Sequence, residues 1–497
     1  MSADRQPVIV GVAQHRWRAI DPATGPDVAV RAAAVARAAA ADTGIGHRAI
    51  ASVDAWVHTV GWAAANPVDL IARAAGAKVR HCWSSGSGGE VGVAAANWAA
   101  RAILAGELDS VVVTGGTDFR TRARAERLGI AYSPPSGGEG AFDVLVKGKP
   151  ASSEIELAHD MAIPIHVYPI FENALRAARG LGIDEHRDRM GALMSSFTAV
   201  AATNPYAWFP EFRTADDLTA PTADNRMIGF PYTKRLNAIL DVDLNAAYVM
   251  MSAARASALG IRSDRWVHWW GGASADEQAY HPSTRPDLAA CPAMQDSHRR
   301  ALHEAGTGVD DIAMFDFYSC FPVAVEMACE MLGLDDRDPR RFTLTGGLPY
   351  AGGPGSAYTL HSIAAMVDRV REQPHETALV TGNGMFLSKH ASSVWGGRPR
   401  PLAPVGSASA PRTTLAQMPL TVDEAPTGRG TIDGYTVLHD RAGEPARGLV
   451  VGHLANGHRF VAHVIEPEAL VELEQYEGVG RNGDVRRGEG VNILELA

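Results

Sequence analysis

The sequence predicts an α/β protein of two similar halves followed by a small all-β domain, on three observations. Apolar runs of strand length alternate with Ala-rich stretches of helical period. One strand-and-turn pattern recurs far downstream. After residue 426 the texture changes to short alternating strands divided by turns. At 497 residues the chain exceeds what one core can serve, so several domains are expected. Its 46% hydrophobic and 21% charged residues, with 50 glycines, fit an α/β protein with close helix-sheet contacts.

Residues 7–12 (PVIVGV) read as a buried strand and the Ala-rich residues 27–41 as the helix after it. Residues 52–60 give a second strand, 93–105 a helix closed by Gly106, and 109–114 (DSVVVT) a strand running into Gly115 and Gly116. This alternation implies a largely parallel sheet covered on both faces. From Asp118 to about Ala254, segments such as PSGGEG and NPYAWFPEF indicate an inserted, loop-rich region. The β-α texture returns at RWVHWWGGASA near Arg265, and residues 311–331 give a strand, a turn and a helix.

The repeat pairs VVVTGGTDF (111–119) with ALVTGNGMF (378–386), and the opening VIVGVA with HWWGGASA, setting Gly11 against Gly271. Both echoes share an offset of roughly 260 residues. Either the chain contains two related halves, or the echo only reflects that parallel strands end in apolar residues and glycine. Residues 396–426 have linker composition. Beyond them, strands at 431–438, 447–454, 459–465 and 490–496, with Ala442-Gly443 and Asn456-Gly457 turns, predict a small OB-like β-barrel. The expected domains are 1–118 with 240–260, a loop domain at 119–239, a second half at 261–400, a linker at 401–425 and the barrel at 426–497.

The formal charge of −10 is spread along the chain, and the longest basic cluster, 337–341, is broken by Asp338 and Pro339, which excludes a nucleic-acid footprint. The first 15 residues lack signal-peptide character and no apolar run is long enough to insert in a membrane, so a cytoplasmic location is expected. Cys82, Cys291, Cys320 and Cys329 show no metal-ligand spacing, and no metal is expected.

Five segments carry a family resemblance: HRDRMGALMSSFTAVAATNPYAW (186–208), FPYTKRLNA (230–238), FDFYSCFPVAVEMACEMLGL (315–334), TLTGGLPYAGGPGSAYTLHSIAAMV (343–367) and TGNGMFLSKHAS (381–392). Together they resemble the acetyl-CoA acetyltransferases of the thiolase superfamily, and more narrowly thiolase-like protein type 1, which has an extra C-terminal β-domain. The resemblance implies a thiolase fold of two half-domains in a five-layer α-β-α-β-α core. It also implies a loop domain, a CoA thioester as substrate or ligand with no other cofactor, a place in lipid or steroid acyl-CoA metabolism, and a homodimer or monomer.

The catalytic motifs have changed. The family's nucleophilic cysteine falls near Gly88 or Gly89 in SSGSGGEVG, its histidine on Gly353, its second cysteine on Val380, and the Asn of its NEAF motif on Tyr318. Cysteine chemistry needs a thiolate at a helix N-terminus, and Cys82 lies upstream of that point, either a displaced nucleophile or a plain buried cysteine. Gly89, Gly353, Gly382, Asn383 and Gly384 remain as a frame able to present backbone N–H groups to a thioester oxygen. Tyr318, Tyr358, His361 and His390 are the candidate catalytic groups, beside Ser319 and Lys389. Tyr318 is either a proton-transfer group or a packed aromatic, and Lys389-His390 reads most simply as an exposed polar pair. Glu90, at the helix start, disfavours an anion there. Three activities stay open: a non-cysteine acyl-CoA enzyme, a tyrosine-dependent retro-aldol lyase of 3-hydroxyacyl-CoA like the steroid side-chain aldolases, and a non-catalytic acyl-CoA binder.

Overall fold

The computed structural model describes residues 3–59, 61–401, 412–415 and 417–497. The strand Pro7–Arg16 holds Val8, Ile9 and Val10 wholly out of solvent because it runs through the middle of an 11-stranded sheet. On one side the order continues through Leu244–Ser252, Ser110–Gly116, Ser52–His58 and Lys78–Ser84 to the short Asp143–Val144. On the other it continues through Val267–Glu277, Lys389–Gly396 and Thr377–Gly384 to Met314–Asp316, with Thr413–Leu415 lying parallel to Val267–Glu277. Among the described residues the strand pairing across the two wings is limited to Val8 with His268 and Ile9 with Val267.

The repeat appears in the topology. Ser110–Gly116 has a parallel neighbour, Ser52–His58, and an antiparallel one, Leu244–Ser252, which pairs with Pro7–Arg16. Thr377–Gly384 likewise lies between parallel Met314–Asp316 and antiparallel Lys389–Gly396, which pairs with Val267–Glu277. The sheet is therefore mixed, which corrects the expectation of a largely parallel one. The tight connection from Gly384 to Lys389 returns the chain as a hairpin, which only antiparallel pairing allows.

The Ala-rich helix Val91–Ala105 and the helix Tyr358–Glu372 share one apolar core with residues of both wings, and so form the middle layer. Val28–Asp42 and Pro67–Ala75 cover the outer face of the first wing, and Pro292–Ala305 and Pro322–Leu332 that of the second. Asp27 caps Val28–Asp42 by accepting from Val30 N–H. Gly11 lets that helix approach the sheet, since a Cβ there would stand 2.1 Å from Ala39 O.

Strands Gly428–His439, Pro445–Leu454, Arg459–Val464, Asn492–Leu496 and Asn482–Arg487 close into a five-strand barrel around Ile432, Val450, Phe460 and Leu494. The strand Met227–Gly229 of the inserted region joins its sheet at Leu438. Asn173 bridges insert and barrel by donating to Phe230 O (3.1 Å) and Tyr435 O (3.0 Å). Of the expected linker, residues 402–411 and 416 lie outside the described residues. No helix of the described residues is long and apolar enough to cross a membrane.

Candidate active site

The glycine run of SSGSGGEVG ends at the N-terminus of the central helix Val91–Ala105. A Cβ on Gly89 would stand 2.2 Å from both Cζ and Oη of Tyr318 and 2.4 Å from Asn383 O. The position that matches the family nucleophile therefore has no side chain, and a phenol fills its space. Tyr318 follows the strand Met314–Asp316, and its backbone N–H donates to Thr381 Oγ1 at 3.1 Å, which ties it to the second glycine loop. Its hydroxyl makes no hydrogen bond among the described residues.

The Tyr318 ring meets Tyr358 edge to face, with centroids 5.5 Å apart at 88°. Tyr358 opens the helix Tyr358–Glu372, and its hydroxyl shares a 2.6 Å hydrogen bond with Thr345 Oγ1. Thr345 Oγ1 in turn donates to Asp316 Oδ2 at 3.3 Å. The same carboxylate oxygen accepts from Leu344 N–H (2.7 Å) and Thr345 N–H (3.2 Å). Burial raises the Asp316 pKa, and these hydrogen bonds partly offset it. Burial also pushes both phenols well above the ordinary tyrosine range, with Cys320, Tyr358 and Glu90 adding to the rise at Tyr318. Tyr318 is thus held protonated as a donor, while Tyr358 sits on a hydroxyl relay ending at a carboxylate.

Glu90 is fully buried, and its Oε1 meets Lys389 Nζ at 2.8 Å and Arg412 Nη2 at 3.1 Å. Lys389 also donates to Ser87 O at 2.8 Å. Cβ atoms on Gly88 and Gly384 would lie 2.1 and 1.9 Å from Glu90 Oε2, and one on Gly382 would lie 2.5 Å from Glu90 Cα. The Gly382 and Gly384 part of the frame therefore wraps the Glu90 carboxylate, whose charge Lys389 and Arg412 offset. This corrects the reading of Lys389-His390 as an exposed pair, because both are buried within the strand Lys389–Gly396.

Asn383 donates to Tyr168 Oη at 3.0 Å, and Tyr168 donates to Met385 O at 2.9 Å. Met385 (φ 56°) and Leu387 (φ 57°) hold left-handed backbone without glycine, a strained turn directly after the glycine loop.

Three candidates are directed elsewhere. Gly353 spends its N–H on Ile239 O at 2.8 Å and packs against Leu240 and Leu348, because the GGLPYAGGP loop folds toward the insert. His361 turns its Nδ1 to Gln14 Oε1 at 2.9 Å, and burial lowers its pKa to about 3. His390 Nε2 faces Cys291 Sγ and Leu387 O. Cys82 lies on the strand Lys78–Ser84 against the outer core, its thiol pKa raised by burial. Sequence reasoning missed Asp316, Thr345, Tyr168 and Arg412. Asp316 stood two residues from Tyr318 in FDFYS, which was the one available signal. A surface cavity of about 620 Å³, lined by Trp83, Trp98, Arg101 and Arg300, reaches the Glu90 cluster only through Arg412.

Comparison with known proteins bears on lineage. Residues 411–490 match the family of the thiolase-like protein type 1 additional C-terminal domain. A crystal structure of a monomeric SCP2-thiolase like protein type 1 from Mycobacterium smegmatis is 32% identical over 100% of both chains, with a TM-score of 0.85. The chain belongs to the SCP2-thiolase-like protein type 1 family. The fold of this type 1 chain is shared more distantly by an Ltp2-ChsH2(DUF35) aldolase, 20% identical with a TM-score of 0.61 over 79% of this chain and 98% of that one. It is shared also by an acetyl-CoA acetyltransferase from Syntrophomonas wolfei, 17% identical with a TM-score of 0.55 over 79% of this chain and 99% of that one. No curated protein matches the type 1 chain.

Proposed function

We propose that this type 1 chain acts on CoA thioesters of lipid or steroid acyl-CoA metabolism by tyrosine-mediated cleavage of a carbon-carbon bond in a 3-hydroxyacyl thioester. The observation that carries the reading is the Tyr318 and Tyr358 pair above Gly89, one phenol unbonded and the other linked through Thr345 to Asp316. Tyr358 takes the 3-hydroxyl proton while its own passes through Thr345 to Asp316. The C2–C3 bond breaks, a carbonyl forms at C3, and its electron pair becomes the thioester enolate. Tyr318 gives its proton to C2. One proton is taken up and one returned, so no co-reactant is consumed. Entry of substrate requires Tyr318 to swing away from Gly89. The monomeric relative supports a monomer, which we place in the cytoplasm.

The filled space at Gly89 favours a second reading, a non-catalytic CoA-ester binder. Incubation with acyl-, 3-ketoacyl- and 3-hydroxyacyl-CoA esters, read by mass spectrometry, separates the two. Cleavage of a hydroxyacyl ester that falls about 100-fold in Tyr318→Phe and Tyr358→Phe is expected. Binding without turnover would leave the second reading, and ketoacyl thiolysis lost in Cys82→Ala would overturn both.

A further inference from the structure

Outside the tyrosine site, three chemically different donors converge. Glu277 ends the strand Val267–Glu277, Cys291 is the N-cap of the helix Pro292–Ala305, and His390 lies on the strand Lys389–Gly396. All three are at least 99% buried, and their ligand atoms lie within 4.8 Å of one another. Cys291 Sγ is 3.1 Å from His390 Nε2 and 3.5 Å from Glu277 Oε1. Leu387 O stands 3.0 Å from the same nitrogen and 3.4 Å from the same sulfur, aimed there by its left-handed backbone. The 3.0–3.5 Å spacings among Cys291, His390, Glu277 and Leu387 are close to the edges of a tetrahedron about a metal with bonds of roughly 2.0–2.3 Å.

A second observation points to a cation. Glu277 has no ion-pair partner among the described residues. Its Oε1 accepts from Ala293 N–H at 2.8 Å, but its buried Oε2 has no partner among the described residues. A buried carboxylate is ordinarily paired with a cation or bound to a metal. The nearby Arg285 makes no hydrogen bond or ion pair with it: Nη2 donates to Phe386 O (2.8 Å), Leu387 O (2.5 Å) and Ser388 Oγ (3.1 Å), and its buried Nε and Nη1 have no partner among the described residues.

We propose that Glu277, Cys291 and His390 form a binding site for a divalent transition metal of the zinc class. A sulfur, an imidazole nitrogen and a carboxylate oxygen are the donor set such an ion selects over magnesium or calcium. Binding forms a metal-sulfur bond and releases the Cys291 thiol proton to solvent. His390 binds through Nε2 as the neutral imidazole, the form its burial favours. The ion would pin the strand end, the helix N-terminus and the strand after the glycine loop to one another.

The test uses the purified full-length chain, loaded with Zn²⁺ or Co²⁺ and freed of excess ion. About one zinc per chain by elemental analysis is expected, and in the Co²⁺ form a sulfur-to-metal charge-transfer band. Cys291→Ser should abolish that band, and Glu277→Gln should cut retained zinc without touching the thiol. A wild-type chain that stays metal-free after loading would overturn the proposal. So would a charge-transfer band or zinc content unchanged in both variants, which would place the ion elsewhere.

Discussion

A side chain at position 89 and the Tyr318 ring compete for one space, so a single substitution at 89 does not create an acyl-enzyme route. A side chain at 89 starts 2.2 Å from the Tyr318 ring. Gly89→Ala and Gly89→Cys should each cost about 1–3 kcal/mol by overpacking and yield no thiolysis. Combined with Tyr318→Ala, the cost should shrink, giving a coupling of about 1 kcal/mol or more in a denaturant double-mutant cycle. Additive costs would show that Tyr318 does not occupy that space. At this scale the sequence was readable where a motif fixed the position, as at Tyr318. It was unreadable where partners meet across the fold. Glu90 meets Lys389 and Arg412, and Cys291 meets Glu277 and His390, at separations that no local pattern records. KHASSVWG looks half-solvated because its polar residues are buried and paired rather than exposed.

At the scale of elements, three helices bring ionisable groups together beside the site. Glu172 on Pro164–Ala178 accepts from His186 on Ile183–Thr203 at 2.5 Å, and Glu326 on Pro322–Leu332 lies 4.0 Å from the same imidazole. Tyr232 donates to Glu172, and Arg179 pairs with Glu326 at 2.8 Å. Burial, then the Glu172 charge, pushes the Glu326 pKa up from 4.5 to about 8. The folded state therefore keeps a proton that the unfolded chain gives up, and stability falls as pH rises between those values. Glu326→Gln should flatten that part of the melting-temperature profile between about pH 5 and 8 relative to wild type. Parallel profiles would show that Glu326 ionises normally. Apolar strands and Ala-rich helices were placed within a few residues by period alone, but strand direction was not. It depends on whether a turn or a crossover follows; here Asn383-Gly384 falls inside the strand Thr377–Gly384, and the connecting residues 385–388 (MFLS), with Met385 and Leu387 strained, carry no turn signature of their own.

At the scale of the molecule, the barrel was legible from its turns, although the strand Asn482–Arg487 (NGDVRR) and the helix Pro467–Gln475 were not, being charged on the faces they show to solvent. What the sequence could not show is that the barrel reaches the second glycine loop through two arginines. Asp433 pairs with Arg459, which is buried and donates to Arg285 O (2.7 Å) and Pro286 O (3.0 Å). The Arg285 guanidinium then holds the carbonyls of Phe386 and Leu387, just past Asn383 and Gly384. The extra domain is thereby connected to the strained turn through hydrogen bonds, and a bracing role makes a testable prediction. Arg459→Met keeps the aliphatic stem and removes the donors, so the barrel should remain folded while residues 385–388 exchange amide hydrogens faster and the first glycine run at 86–90 does not. Arg459→Lys should restore part of the protection through one remaining donor. Unchanged exchange at 385–388 in Arg459→Met would mean that the turn is held by Tyr168 and its own strands, with the barrel merely resting against it.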